Sequence, residues 1–260
     1  MESYRPHAFP PRGLKKKAYA VLLKTAQREL SLYNDALLTL PKEMHSILLL
    51  AEAIASLNSQ KLDNKLSRQV FQYVHAVEWA SKKMKREPLS KKLVCTLHRK
   101  IKQGMTPLKD LGVYRNRQNW IGPAGSKEEA YFYPPQASEV NAWMKNLFRY
   151  SEKQSSEPLV QIAMIFAQML IIHPFMDGNG RVARILIPLL LYRKQVVPYP
   201  VFFLSAYFQK HRLHYFQTLF ETTEEEQWEK WIAFFLKGVI VESRKYRKLF
   251  KALSPKERLL

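Results

Sequence analysis

The sequence predicts an all-α protein with one short β-hairpin inserted into it, and three observations carry that expectation. Glycine is scarce, at eight in 260 residues, whereas a sandwich or barrel of short strands needs many positive-φ turns. Apolar residues recur at steps of three and four over most of the length, the period of a half-buried helix. One interval only, Tyr114 to Pro135, departs from that texture.

Taken in order, Leu14 to Leu40 reads as the first helical region, ended by Pro41. The next helix carries Ile47, Leu50, Ala51 and Ile54 as its apolar face, and Val70, Val74 and Val77 mark another. Pro88 and Ser90 precede Leu93, Leu97 and Ile101, spaced i, i+4, i+8, with Gly104 placed to end that helix. Gln118 to Ile121 and Ala130 to Tyr133 are aromatic-rich runs around Gly122, Pro123 and Gly125, the pattern of a hairpin. Ser138 is placed to cap a helix bearing Val140, Met144, Leu147 and Phe148. Its successor, from about Pro158 to Ile172, is apolar on nearly every side, as a helix surrounded by others must be. Arg181 to Arg193, Phe202 to Phe220 and Trp228 to Phe250 supply the remaining helices.

Composition narrows the class. Cys95 is the single cysteine, which excludes an intrachain disulfide and a thiolate zinc cage. No stretch is long and apolar enough to cross a bilayer, and the polar, proline-rich start is not a secretory signal, so no membrane insertion is expected. A net charge of +20 raises nucleic acid, acidic membrane and acidic protein partners together. The basic clusters, such as Lys82 to Arg86 and Arg244 to Lys248, fall at helical spacing and read as solvated faces, so nucleic acid is the minority reading.

The stretch that carries chemistry runs from His173 to Arg184 as His-Pro-Phe-Met-Asp-Gly-Asn-Gly-Arg-Val-Ala-Arg. Pro174 ends the preceding helix at His173, leaving an imidazole on a rigid support. Gly178, Asn179 and Gly180 let successive N–H groups turn toward one point at a helix N-terminus, an anion nest. Arg181 and Arg184 share one face of the first turn and can grip phosphate oxygens. Asp177 offers a hard oxygen ligand for Mg²⁺. Each feature alone has a structural explanation; a base, a metal ligand, a nest and two cations within a dozen residues point to nucleotide binding beside a nucleophile.

This stretch resembles the Fic family motif at every defined position. The resemblance extends from about Glu52 to Gly238, with Gln118 to Gly122 similar to the hairpin "flap" and Leu204 to Phe208 similar to the helix after the motif helix. It implies an all-helical core with a β-hairpin flap at about 115–135 and an N-terminal helical extension. The expected division is 1–88 for that extension, 89–240 for the catalytic domain and 241–260 for a C-terminal helix or tail. The implied activity is AMPylation, Mg²⁺-dependent transfer of AMP from ATP to a target protein's hydroxyl. His173 is then the general base, Asp177 the Mg²⁺ ligand, Gly178, Asn179 and Gly180 the phosphate cradle, and Arg181 and Arg184 the cations at the outer phosphates. Tyr215 and Phe216 stand where the family places aromatics near the base. Trp120, Ile121, Tyr131 and Phe132 belong to a flap that can hold an extended target segment by β-augmentation.

The family's inhibitory motif is degenerate in this sequence. Glu52 to Ser56 resembles its lead-in, but the glutamate position falls on Gln60 in that register, or on Asp63 if the motif starts at Ser59. Weak autoinhibition follows, and the segment also reads as an ordinary surface helix end. Transfer of UMP, phosphate or phosphocholine by the same site is the alternative within the fold. A basic nucleic-acid or protein adaptor with a vestigial nucleotide pocket is the alternative outside it. A cytoplasmic protein, or an effector delivered into another cell, fits this reading, as does a homo-oligomer.

Overall fold

A computed structural model describes residues 3–4, 9–57, 64–105, 107–122, 130 and 132–253. Among these, ten α-helices follow one another: α1 (Ala20–Leu38), α2 (Glu43–Leu57), α3 (Asn64–Met84), α4 (Lys91–Lys102), α5 (Val140–Ser151), α6 (Pro158–Ile172), α7 (Asn179–Arg193), α8 (Ser205–Lys210), α9 (Arg212–Glu224) and α10 (Trp228–Leu253). No strand longer than a single bridge occurs among the described residues. None of these helices is long and apolar enough to cross a membrane.

The core is organised around α6. Every residue from Leu159 to Ile172 is buried, and α5, α7 and α10 pack on it from different sides. Pro158 opens this helix at its first turn, where a missing N–H costs nothing. Trp231 of α10 donates its indole N–H to the Ala163 carbonyl at 2.8 Å, satisfying the one polar atom of a fully buried side chain. Ser90 caps α4 by accepting from the Leu93 N–H at 3.3 Å, and Leu93, Leu97 and Ile101 are buried as their spacing predicts.

Long-range packing of α1 against α10 closes the molecule. Buried Glu29 of α1 accepts from Arg244 at 3.0 Å and Arg247 at 2.8 Å. Two members of the C-terminal basic cluster are therefore ion-paired across helices, which corrects the expectation of a wholly solvated face.

Two further expectations are corrected. The α2 face differs: Leu48, Leu49, Glu52, Ala53 and Ser56 are buried, whereas Ile47, Leu50 and Ile54 are exposed. The expected capping by Ser138 gives way to a 3-10 turn over Ala137–Glu139, where Glu139 accepts from the Gln136 N–H at 3.1 Å. Of the expected hairpin, one antiparallel pair lies among the described residues, with Ile121 N–H donating to Phe132 O at 2.9 Å and Phe132 N–H to Ile121 O at 3.1 Å. Pro123, Gly125 and Tyr131 lie outside the described residues, as do Ser59, Gln60 and Asp63.

Candidate functional site

The motif forms the link between buried α6 and α7. His173 terminates α6 in the left-handed conformation, φ 50° and ψ 59°, so the chain turns sharply before Pro174. Phe175 is fully buried and stacks on the His98 ring, 3.9 Å between centroids and 6° between planes. The loop closes on Asn179, whose side-chain oxygen accepts from the Phe175 N–H at 2.8 Å while its amide donates to the Phe175 carbonyl at 2.8 Å. The Asn179 side chain is thus buried and spent on the loop's shape; only its backbone N–H, at the start of α7, is left for a ligand.

His173 has the geometry of a base. Its Nδ1 stands 3.1 Å from the Leu170 carbonyl, and a carbonyl can only accept. In the neutral ring Nδ1 therefore carries the proton and Nε2 keeps its lone pair. Burial pushes the imidazole down to about 4, with the nearby Arg115 guanidinium acting in the same direction, so the neutral ring prevails at physiological pH.

Arg115 is a residue that sequence reasoning missed. Its Nε donates to the His173 carbonyl at 2.9 Å, its backbone N–H donates to the Pro174 carbonyl at 2.9 Å, and its guanidinium also reaches the Pro135 carbonyl. Asn119 donates to the Phe175 carbonyl at 3.0 Å. The root of the flap is fastened to the loop that carries His173 by these bonds. Trp120, Ile121 and Phe132 are each half-buried, and Phe132 packs against Tyr4 at 5.4 Å between centroids.

His98 and Lys102 of α4 were missed as well. His98 is buried, accepting from the Gly112 N–H at Nδ1 (3.0 Å) and lying 2.9 Å from the Asp177 carbonyl at Nε2. Burial holds its ring down to about 4, so it is a neutral strut beneath the motif. Lys102 pairs its ammonium with Asp177 Oδ2, while Asp177 Oδ1 accepts from the Gly178 N–H at 2.6 Å. The lysine side chain is 4% exposed and the aspartate 68%. Despite the opposing effect of burial, the Lys102 hydrogen bond and charge hold the Asp177 carboxyl below its usual range.

These contacts test the Mg²⁺ ligand role. A lone carboxylate with substrate phosphates is an ordinary Mg²⁺ donor set. Here both Asp177 oxygens are already engaged, one by a buried ammonium and one by the Gly178 N–H. As arranged, the residues present do not fit the ion.

Arg184 faces the other way along α7. Its Nη1 lies 3.0 Å from where a Cβ on Gly180 would stand, so the guanidinium folds back over the helix's first turn. Its Nε donates to the Ser56 hydroxyl at 3.1 Å and Nη2 to the Ser56 carbonyl at 3.0 Å. A cavity of about 190 Å³ between α2, α7, α8 and α9 is lined by Ser56, Arg184, Ser205, Arg212, Tyr215 and Phe216 among others. Tyr215 is buried in the aromatic cluster around Trp231, whereas Phe216 is exposed beneath Arg212. Arg181 is half-buried, with Nη1 3.9 Å from Met105 Sδ. A wider cleft of about 730 Å³ at Arg193 and Lys194, at the far end of α7, contains no motif residue.

Beneath the cavity lies an unexpected carboxyl. Glu52 is buried, accepts from Tyr73 at 3.1 Å and from Ser205, and is pushed up to about 7 by burial. The turn of α2 that the sequence left apolar is polar because its partners are Tyr73, Ser205 and Arg184.

Comparison with known proteins places this geometry. The sequence profile of the Fic/DOC family matches residues 88–191. Among curated relatives, protein adenylyltransferase and cysteine protease IbpA of Histophilus somni (strain 2336) is 32% identical over 78 residues, 30% of this chain and 2% of that protein. Protein adenylyltransferase fic-1 of Caenorhabditis briggsae is 26% identical over 105 residues, 40% of this chain and 20% of that protein. The matched segments thus span a small part of these relatives' length. A Fic family protein from Desulfovibrio desulfuricans G20 shares the fold with a TM-score of 0.76 at 17% identity, over 91% of this chain and 76% of that one. Residues 88–191 thus match the Fic/DOC family, and the chain shares the all-α fold of a Fic family protein.

Proposed function

We propose that the protein transfers AMP from ATP to a hydroxyl of a target protein. The observation that carries this reading is His173, held neutral with its Nε2 lone pair unspent, beside the N-terminus of α7. In that reaction Nε2 accepts the proton of a Ser, Thr or Tyr hydroxyl as its oxygen attacks the α-phosphorus. The bond from that phosphorus to the bridging oxygen breaks, and pyrophosphate leaves with the electron pair. Asn179 and Gly180 supply backbone N–H groups to the phosphate chain, Gly178, whose own N–H goes to Asp177, sets the turn that aims them, and Arg181 and Arg184 offset the charge that develops on the leaving group. Tyr215 and Phe216 line the cavity on the Arg184 side and offer apolar faces for the base. Mg²⁺ is implied by resemblance, but Asp177 is engaged by Lys102 and no step is assigned through the ion.

The flap contributes the target. An extended segment laid beside Trp120, Ile121 and Phe132 presents its hydroxyl to His173, because Arg115 and Asn119 hold the flap's root and the base in one rigid unit. Two curated relatives named as protein adenylyltransferases support the reaction class. ATP and protein hydroxyls are met in a cytosol, either that of the producing cell or that of a recipient cell.

Incubation with each labelled nucleoside triphosphate in turn, alone and with cell lysate, tests the reading. Protein labelling from ATP that is lost in His173→Ala supports it. Labelling from UTP alone assigns UMP transfer instead.

A further inference from the structure

Lys102 ends α4 and is almost wholly enclosed, yet its partner carboxylate stands open to solvent. That asymmetry is unusual for a surface ion pair, where the long lysine normally keeps its head in water. The lysine approaches Asp177 from inside the protein. Its stem fills the space in front of Gly178: a Cβ there would lie 3.0 Å from Lys102 Cδ and 3.1 Å from Cγ. Gly178 itself has φ 82°, so the turn leaves both the room and the backbone conformation that this approach needs.

The arrangement bears directly on a polyphosphate. A bare carboxylate at the mouth of an anion nest would repel the ligand that the nest attracts. An ammonium enclosed in protein and in contact with that carboxylate removes the repulsion, and it remains less screened than an exposed lysine would be. It also engages Asp177 Oδ2, so that oxygen is not free for a divalent cation. We propose that Lys102 is the resident counter-cation of Asp177, so that the nucleotide's phosphate chain binds here without a divalent metal. This proposal rests on the nucleotide-binding reading of the motif.

Calorimetric titration of ATP into the full chain, once with EDTA and once with excess MgCl₂, tests it. The two dissociation constants should agree within about threefold, and Lys102→Met should weaken binding in EDTA by about tenfold or more, with most of the loss recovered by Mg²⁺ at the freed carboxylate. Should Lys102→Met fail to fold, Asp177→Asn serves: the ammonium then faces no carboxylate, and ATP binding in EDTA should hold or tighten. Binding by the unmodified chain that is about tenfold or more weaker in EDTA than in Mg²⁺ overturns the Lys102 assignment and leaves AMP transfer standing. No ATP binding in either condition overturns both.

Discussion

Arg184 donates to Ser56 twice, from Nε to the hydroxyl at 3.1 Å and from Nη2 to the carbonyl at 3.0 Å, and so ties the motif helix α7 to the last turn of α2. A guanidinium engaged in this way is withdrawn from phosphate. The cavity it borders, about 190 Å³, is smaller than the roughly 300 Å³ or more of ordinary small-molecule sites. On the proposed function, nucleotide binding competes with this α2 contact. A hydrogen bond to a charged group contributes about 1.5–3 kcal/mol, and Ser56→Ala removes one of the two. Self-labelling at subsaturating ATP should rise about tenfold or more. An unchanged rate would mean that the α2 contact does not restrain the site.

The burial of His173 sets a pH profile. With the ring titrating near about 4, the base remains neutral down to about pH 5, and labelling per folded molecule should be flat from pH 8 to that point. An acid limb centred near 6.5, the value of an exposed imidazole, would show that the ring is not desolvated. Stability moves over the same range. His98 and His173 take up protons near 6.5 when unfolded but near about 4 when folded. The unfolded chain thus binds more protons between these values, and thermal stability should decline as pH falls from 6.5 toward 4.

Glu52 acts with the opposite sign. Its carboxyl titrates near about 7 when folded and near 4.5 when unfolded, so the folded state holds the extra proton between those values and loses stability as pH rises through them. Glu52→Gln retains a hydrogen-bonding oxygen for Tyr73 and Ser205 without the buried charge. Its melting temperature should exceed that of the unmodified chain by a few degrees at pH 8 and match it at pH 5. No gain at pH 8 would mean that attraction to Arg184 already compensates the charge.

Gly178→Ala tests the turn that begins α7. The backbone there has φ 82°, and the new methyl would press on the Lys102 stem at 3.0 Å. Strain of this kind costs about 1–3 kcal/mol. The melting temperature should drop by several degrees and ATP affinity should fall with it. A variant as stable as the parent would place the Lys102 stem elsewhere.

Legibility in the sequence followed the source of each constraint. Helices α6 and α7 were readable because burial on nearly all sides leaves long apolar runs, broken in α6 only by Gln161 and Gln168, and the motif was readable because its residues are contiguous. The α2 face was misassigned because Ile47 to Ala51 is apolar at every position, so periodicity cannot choose a side. Its orientation is set by Glu52 and Ser56 meeting Tyr73, Ser205 and Arg184. Lys102 carried no sequence signal at all. It stands among Arg99, Lys100 and Lys102 in the last turn of α4, where a basic run ordinarily complements the helix dipole in solvent. Arg115, Asn119 and His98 act through backbone carbonyls of a loop about 55 to 80 positions away, contacts that only the fold creates.

AMP transfer is tested most directly by comparing two radiolabels of the same substrate. Protein incubated with ATP labelled at the α-phosphorus should acquire stable label, on itself or on a lysate protein, and ATP labelled at the γ-phosphorus should leave none, because that phosphorus departs in pyrophosphate. The α-label should vanish in His173→Ala. Transfer of the γ-label, or α-labelling that persists without His173, would contradict the mechanism.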